Sequence, residues 1–161
     1  MQVFYTSPWV PPEFIKAHGL EPRGVWFARK PNQLPLAAGV CAFAQTVIRL
    51  AETHPDSAFI FSTHCDQLRR GFDVVAQAAH ARIFLFNLPA TWQTAVAERI
   101  FGSELERLGR FLVEQGGQPP TAQELAETMA RYRLARSRLL EAAAHVSPRQ
   151  YCEALTHFHW D

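Results

Sequence analysis

The sequence predicts an α/β fold: a small, parallel, Rossmann-like sheet flanked by helices, followed by a C-terminal helical arm. Three observations carry this. Short apolar runs alternate with helix-like segments from the N-terminus to Pro89. One run, "ARIFLFNLP", is almost continuously apolar, as expected of a strand buried on both faces of a parallel sheet. Beyond Pro89 the pattern changes to long helices. Residues 1–90 are therefore read as the sheet domain and 91–161 as the arm packed on it, together one compact unit.

The elements follow in order. Gln2 to Thr6 reads as a strand. Pro11-Pro12-Glu13 opens a short helix that ends near Gly19, because proline suits a first helical turn and glycine a C-terminal cap. Arg23 to Ala28 can form a second strand. A proline-rich loop, "RKPNQLPLAAG", leads to a helix over Cys41 to Glu52. The third strand is Ala58 to Ser62, followed by a helix from Asp66 to Ala79, and the fourth lies within "ARIFLFNLP". In the arm, Trp92, Val96 and Ile100 recur at i+4, and Phe101, Leu105, Leu108 and Leu112 continue an apolar face. "EQGGQPP" is a turn. Thr121 with Glu124 three residues on is a capping-box pattern. Leu125, Tyr132, Leu139 and Val146 then recur every seven residues, the spacing of a stripe that packs on a partner helix. Ser147-Pro148 breaks this helix, and Arg149 to Trp160 forms a final short one.

Composition narrows the function. With 48% apolar and 19% charged residues the chain is globular, and a net charge of +1 gives no reason to expect a nucleic-acid or membrane-surface partner. No apolar run approaches the roughly 20 residues of a membrane span. The first residues lack the basic patch and apolar stretch of a signal peptide, so the expected location is cytoplasmic. The odd count of three cysteines, Cys41, Cys65 and Cys152, fits reduced thiols better than a disulfide framework, and none belongs to a CxxC pair.

Two of these cysteines occupy informative places. In a parallel sheet the loops after the strands gather along one edge, where open α/β folds bind ligands. Cys65 directly follows the third strand, and Cys41 follows the long loop after the second. Both open helices, where the dipole and free N–H groups favour thiolate, the form that ligates iron. Packing remains the competing reading, since free cysteine is among the most buried residue types and "GVCAFA" reads equally as core.

The surrounding segments say more. "YTSPWVPPEFIKAHGLEPRGV", "LPLAAGVCAFAQ", "FSTHCDQLRRGFDVV" and "FLFNLPATW" occur in this order, and "SELERLGRFLVEQGGQPPTAQELAETMARYRLARSRL" follows. Together they make the chain resemble the 2-hydroxyacyl-CoA dehydratase family, D-component type, which includes benzoyl-CoA reductase subunits and double-cubane cluster proteins. The family's T-C-D-x-(hydrophobic)-(K/R) motif is matched by Cys65 to Arg70, with His64 standing where the family has threonine.

The resemblance implies that Cys41 and Cys65 are two of the cysteines holding an iron–sulfur cluster (4Fe-4S or larger). It implies low-potential one-electron transfer to an acyl-CoA thioester, giving a ketyl radical that loses water or accepts further electrons. An ATP-hydrolysing activator supplies the electron, and a larger sibling subunit or a homo- or hetero-oligomer is expected. The family's third cluster cysteine lies in a second α/β domain and has no counterpart here. Two cysteines cannot close a four-coordinate site, so another subunit contributes, two copies share a cluster, or none binds. Cys152 and His64 are the spare ligand candidates within the chain.

Other residues carry weaker signals. Arg69 and Arg70 suit the phosphates of CoA, or plain solvated surface. His157 and His159 in "HFHW" read as a frayed polar end, and "RYRLARSR" as solvated helix surface. Trp26, Trp92 and the phenylalanines read as core. Ser62 and Thr63 have no Ser/His/Asp context that would make either a nucleophile. The sequence thus points to a subunit or short form of a dehydratase or CoA-ester reductase. The alternatives are a non-catalytic single-domain relative acting in assembly or regulation, whose partner or own dimer buries the Leu125–Val146 stripe, and a thiol redox sensor working through Cys65.

Overall fold

The structure is a computed structural model and describes residues 1–25, 39–78 and 82–160. Along them the chain forms β1 (Gln2–Tyr5), α1 (Pro12–Ala17), β2 (Glu21–Gly24), α2 (Ala42–Thr53) and β3 (Ala58–Ser62). It continues as α3 (Asp66–Gln77), β4 (Ile83–Phe86), α4 (Ala95–Glu114), α5 (Ala122–Ala142) and α6 (Pro148–Trp160). The four strands make one parallel sheet in the order β2-β1-β3-β4. Phe4 pairs with Phe59 across β1 and β3, and Ile60 with Phe84 across β3 and β4. The expected fold class is the one observed.

Strand alternation explains the apolar runs. Val3, Tyr5, Ile60, Phe84 and Phe86 point to one face, where Ile15 of α1 and Leu108, Phe111 and Leu112 of α4 cover them. Phe4, Phe59 and Phe61 point to the other, against Val47 and Ile48 of α2 and Leu68 and Val75 of α3. Because helices close both faces, no strand needs a polar side, and all five residues of β3 are buried.

Several boundaries differ from expectation. β2 is Glu21–Gly24, earlier than the Arg23–Ala28 reading, and Trp26 to Ala28 lie outside the described residues. Pro22 lies within β2, which tolerates its missing N–H because β2 is an edge strand. Its ladder is extended by the Glu21 N–H, which donates to Met1 O at 3.0 Å. β1 stops at Tyr5, although Thr6 N–H still donates to Ile60 O at 3.1 Å. β4 is confined to Ile83–Phe86 because Asn87 N–H turns away to Glu104 at 2.9 Å. α3 ends at Gln77, with Ala79 outside the described residues.

The capping box at Thr121 and Glu124 is present: each side chain accepts from the other's backbone N–H. Those bonds hold the Glu124 carboxyl below its ordinary range. Along α5 the seven-residue stripe meets helices of its own chain. Tyr132 stands edge-on to Phe158 of α6, with ring centroids 5.8 Å apart, and Leu139 lies in a cleft with Leu155 and Phe158. Val146 stays exposed. Arg136 is not solvated surface: its guanidinium pairs with Glu13 of α1 at 2.6 Å.

The C-terminal histidine reading also changes. α6 returns against β2 and α5, and His159 is half-buried, sharing a 2.7 Å hydrogen bond between its Nδ1 and Tyr5 Oη. Burial, then the Arg136 charge, pushes the His159 pKa down to about 4, and burial drives the Tyr5 hydroxyl well above its ordinary range. His157, on another side of the helix, is exposed. No helix among the described residues is long and apolar enough to cross a membrane.

Candidate functional site

β1 leads outward to β2, whereas its neighbour β3 leads the other way to β4. The loops leaving the C-terminal ends of β1 and β3 therefore separate and leave a crevice, the usual ligand position in an open parallel sheet. Trp9 follows β1, and Thr63, His64 and Cys65 follow β3.

Cys65 is the N-cap of α3 and Cys41 the N-cap of α2. Both have extended backbone geometry, and neither side chain caps its helix. Their carbonyls accept the first intrahelical bonds: Cys65 O from Leu68 N–H at 3.0 Å, and Cys41 O from Gln45 N–H at 3.0 Å. The two helices pack side by side. Gln67 Oε1, two residues past Cys65, accepts the Cys41 N–H at 3.0 Å and ties the two helix starts together. Gly39, at φ +88, makes the turn into Cys41, and a Cβ there would stand 3.5 Å from Arg70 Nη1. One side chain of α3, Gln67, thus holds the turn that carries Cys41, and Arg70 lies beside it.

The thiols differ in setting. Cys41 is exposed, which removes the packing reading for it, while Cys65 is half-buried against the α2/α3 side of the core. Cys152 is exposed on α6. Two thiols at neighbouring helix N-termini suit two corners of an iron–sulfur cluster. Among the described residues no three His, Cys, Asp or Glu side chains gather into a metal-binding group, so neither Cys152 nor His64 joins Cys41 and Cys65 in one. Cys41 and Cys65 alone would supply half of the ligands that a four-ligand cluster needs.

His64 has a different engagement. Its Nδ1 shares a 2.7 Å hydrogen bond with Ser62 Oγ, a Ser–His contact that the sequence reading passed over. Ser62 is fully buried, so its hydroxyl orients the ring and is shielded from any substrate. Thr63 Oγ accepts from Leu88 N–H at 2.9 Å and joins the β3 loop to the β4 loop. That second loop is held from below by Glu104 of α4, which accepts from Asn87 N–H and from Arg107 at 2.7 Å. Burial raises the Glu104 pKa, but the Arg107 and Asn87 hydrogen bonds outweigh it and hold the carboxyl below its ordinary value. Arg107 also donates to Leu85 O. Arg69 is exposed and 3.6 Å from Asp66, and Arg70 is exposed over the Gly39 turn.

Between these loops lies a cavity of about 400 Å³, lined by Trp9, His64, Leu88, Pro89, Trp92 and Phe101 among others. Trp92 was expected in the core; it is 74% exposed, and Trp9 is 60% exposed. The i+4 series Trp92, Val96, Ile100 lies on the outer side, whereas the expected face continued by Phe101, Leu105, Leu108 and Leu112 does turn to the core, joined by Ala97 and Phe111. The sequence reading missed the cavity, whose one signal was a tryptophan in each of two loops after strands.

The family model for the 2-hydroxyglutaryl-CoA dehydratase, D-component, matches residues 9–157. Comparison with curated proteins finds no match. The matched span begins at Trp9, contains Cys41, Cys65 and Cys152, and ends within α6. The span leaves out β1 but takes in β2 to β4, the cysteine-bearing helix starts and most of the helical arm, and the chain belongs to the 2-hydroxyglutaryl-CoA dehydratase, D-component, family.

Proposed function

We propose that the chain is a component of a 2-hydroxyacyl-CoA dehydratase or benzoyl-CoA reductase-type enzyme. In this reading Cys41 and Cys65 supply two thiolates to an iron–sulfur cluster. One observation supports it above the rest: both cysteines occupy the N-cap positions of helices at the C-terminal edge of the sheet, and the helix starts are joined by the Cys41 N–H to Gln67 bond. Gln67 fixes the backbone on which Cys41 stands. When bound, such a cluster delivers single low-potential electrons to a CoA thioester. The missing ligands come from a second subunit, a second copy or a segment beyond these 161 residues, and an ATP-dependent activator is the electron source. Arg69 and Arg70, in the first turns of α3, are the candidates for the CoA phosphates.

Anaerobically purified protein, prepared with its partner where one co-purifies, should contain iron and acid-labile sulfide and be brown. Cys41→Ser and Cys65→Ser should each remove most of both. Iron content unchanged by Cys65→Ser would sink the ligand assignment.

A second reading is favoured by the incomplete donor set. Here the chain is a non-catalytic family member that keeps the fold for assembly or regulation. It requires a colourless, iron-free protein whose partner binding survives Cys41→Ser and Cys65→Ser.

A further inference from the structure

We infer that the cavity between the β1, β3 and β4 loops takes a neutral, flat, apolar group, an aromatic ring above all, and turns away chains ending in a carboxylate. That this group is the acyl side chain of a CoA thioester rests on the function proposed above. The preference itself rests on the cavity alone.

The cavity lies where the strand order reverses, at the open edge of a sheet whose faces are both closed by helices. Its volume of about 400 Å³ is ample for a substituted ring. Its walls are Trp9, Trp92, Leu88 and Phe101, and both indoles are largely exposed. Large aromatic surfaces left open beside a concave site lose their contact with water when a ring stacks on them. Two polar groups join them. His64 has Nδ1 engaged by Ser62, so either tautomer leaves Nε2 as the ring nitrogen available for one hydrogen bond to a ligand. The other is Glu98, an acidic residue of the lining. No lysine or arginine stands among the described lining residues. On neighbouring elements, Arg107 is engaged by Glu104 and Leu85 O. A ligand carboxylate would therefore give up water without meeting a lysine or arginine among the described lining residues, and would share the cavity with the like charge of Glu98. A ring meets neither cost.

Two small amides sharing one end separate these cases: 3-phenylpropionamide, which is neutral, and glutaramate, which carries a carboxylate. The full chain is titrated with each while the tryptophan indole N–H signals are followed by NMR. The aromatic amide should shift Trp9 and Trp92 and bind at least tenfold more tightly than glutaramate. Trp9→Ala and Trp92→Ala should each weaken it several-fold. Both positions are exposed, so the variants keep the fold. Glu98→Gln should strengthen glutaramate binding and leave the aromatic amide unchanged. Equal affinities, or aromatic binding indifferent to both tryptophans, would overturn the inference. So would indole signals that move with protein concentration and ignore the amide, which would assign the cavity to a second copy. Phenylpropionyl-CoA and glutaryl-CoA then separate the two levels. If the aromatic amide behaves as expected but its CoA ester binds no more tightly, the acyl-CoA function fails and the cavity preference stands. If both esters bind tightly and equally, the preference fails and the acyl-CoA function stands.

Discussion

Gln67 Oε1 accepts the Cys41 N–H at 3.0 Å across 26 positions of sequence, so the start of α2 is held by a side chain of α3. The turn before Cys41 contains Gly39 at positive φ, and Gln45 Nε2 donates to Val40 O at 2.9 Å. Gln67→Leu should therefore cost little global stability, about 0.5 kcal/mol for one exposed hydrogen bond. It should raise amide exchange at Cys41 several-fold while leaving α3 protected. Unchanged exchange at Cys41 would show that the tie is unimportant in solution.

His159 makes stability depend on pH. Its folded pKa, about 4, lies below the ordinary 6.5 because burial and Arg136 disfavour the charged ring. Between those values the unfolded chain takes up a proton that the folded chain refuses. The stabilising contribution is full above pH 6.5 and is lost as pH falls towards 4. After discounting for partial exposure the loss is about 1–2 kcal/mol. Urea midpoints measured at pH 7.5 and pH 4.5 should differ accordingly, and His159→Gln should flatten the difference.

The Arg136–Glu13 pair joins α5 to α1 at 2.6 Å, with Glu13 mostly shielded. Arg136→Met should destabilise by about 1–2 kcal/mol, the cost of a lost charged hydrogen bond that is partly open to water. The same change should make the α5–α6 junction near Ser147 more sensitive to limited proteolysis. A stability within error of the parent would mean that water replaces the pair without cost.

Two glycines should respond oppositely to alanine. A Cβ at Gly117 would stand 2.8 Å from Leu112 O and 3.0 Å from His18 O, both backbone atoms that cannot swing away. Gly117→Ala should cost about 2 kcal/mol, as overpacking does. Gly102 lies inside α4 with nothing within 4 Å of its Cβ position. Gly102→Ala should stabilise by about 0.5–1 kcal/mol through helix propensity. Thermal unfolding of the two variants should move in opposite directions.

What could be read from the sequence was what local pattern controls. Continuous apolar strands, helix-opening cysteines and the Thr121–Glu124 box each express themselves within a few residues. Trp92 misled because apolar spacing looks the same whether a side chain faces a core or a ligand cavity. β2 was misplaced because Pro22 breaks a central strand but not an edge, and edge position is a property of the whole sheet. Neither Gln67 on Cys41 nor His159 on Tyr5 has a local signature. Each depends on how separate helices lie against the sheet.

The Tyr5–His159 bond spans 154 positions, and that separation has a kinetic meaning. Closing so long a loop in an unfolded chain is entropically expensive, and one hydrogen bond cannot offset it. The contact forms only once the sheet and the intervening helices have already brought α6 to the end of β1. It is therefore absent from the folding transition state, and its removal should leave the refolding rate almost unchanged while accelerating unfolding. The meeting of the first strand with α6 should therefore bear on how long the native state lasts rather than on how quickly it is reached.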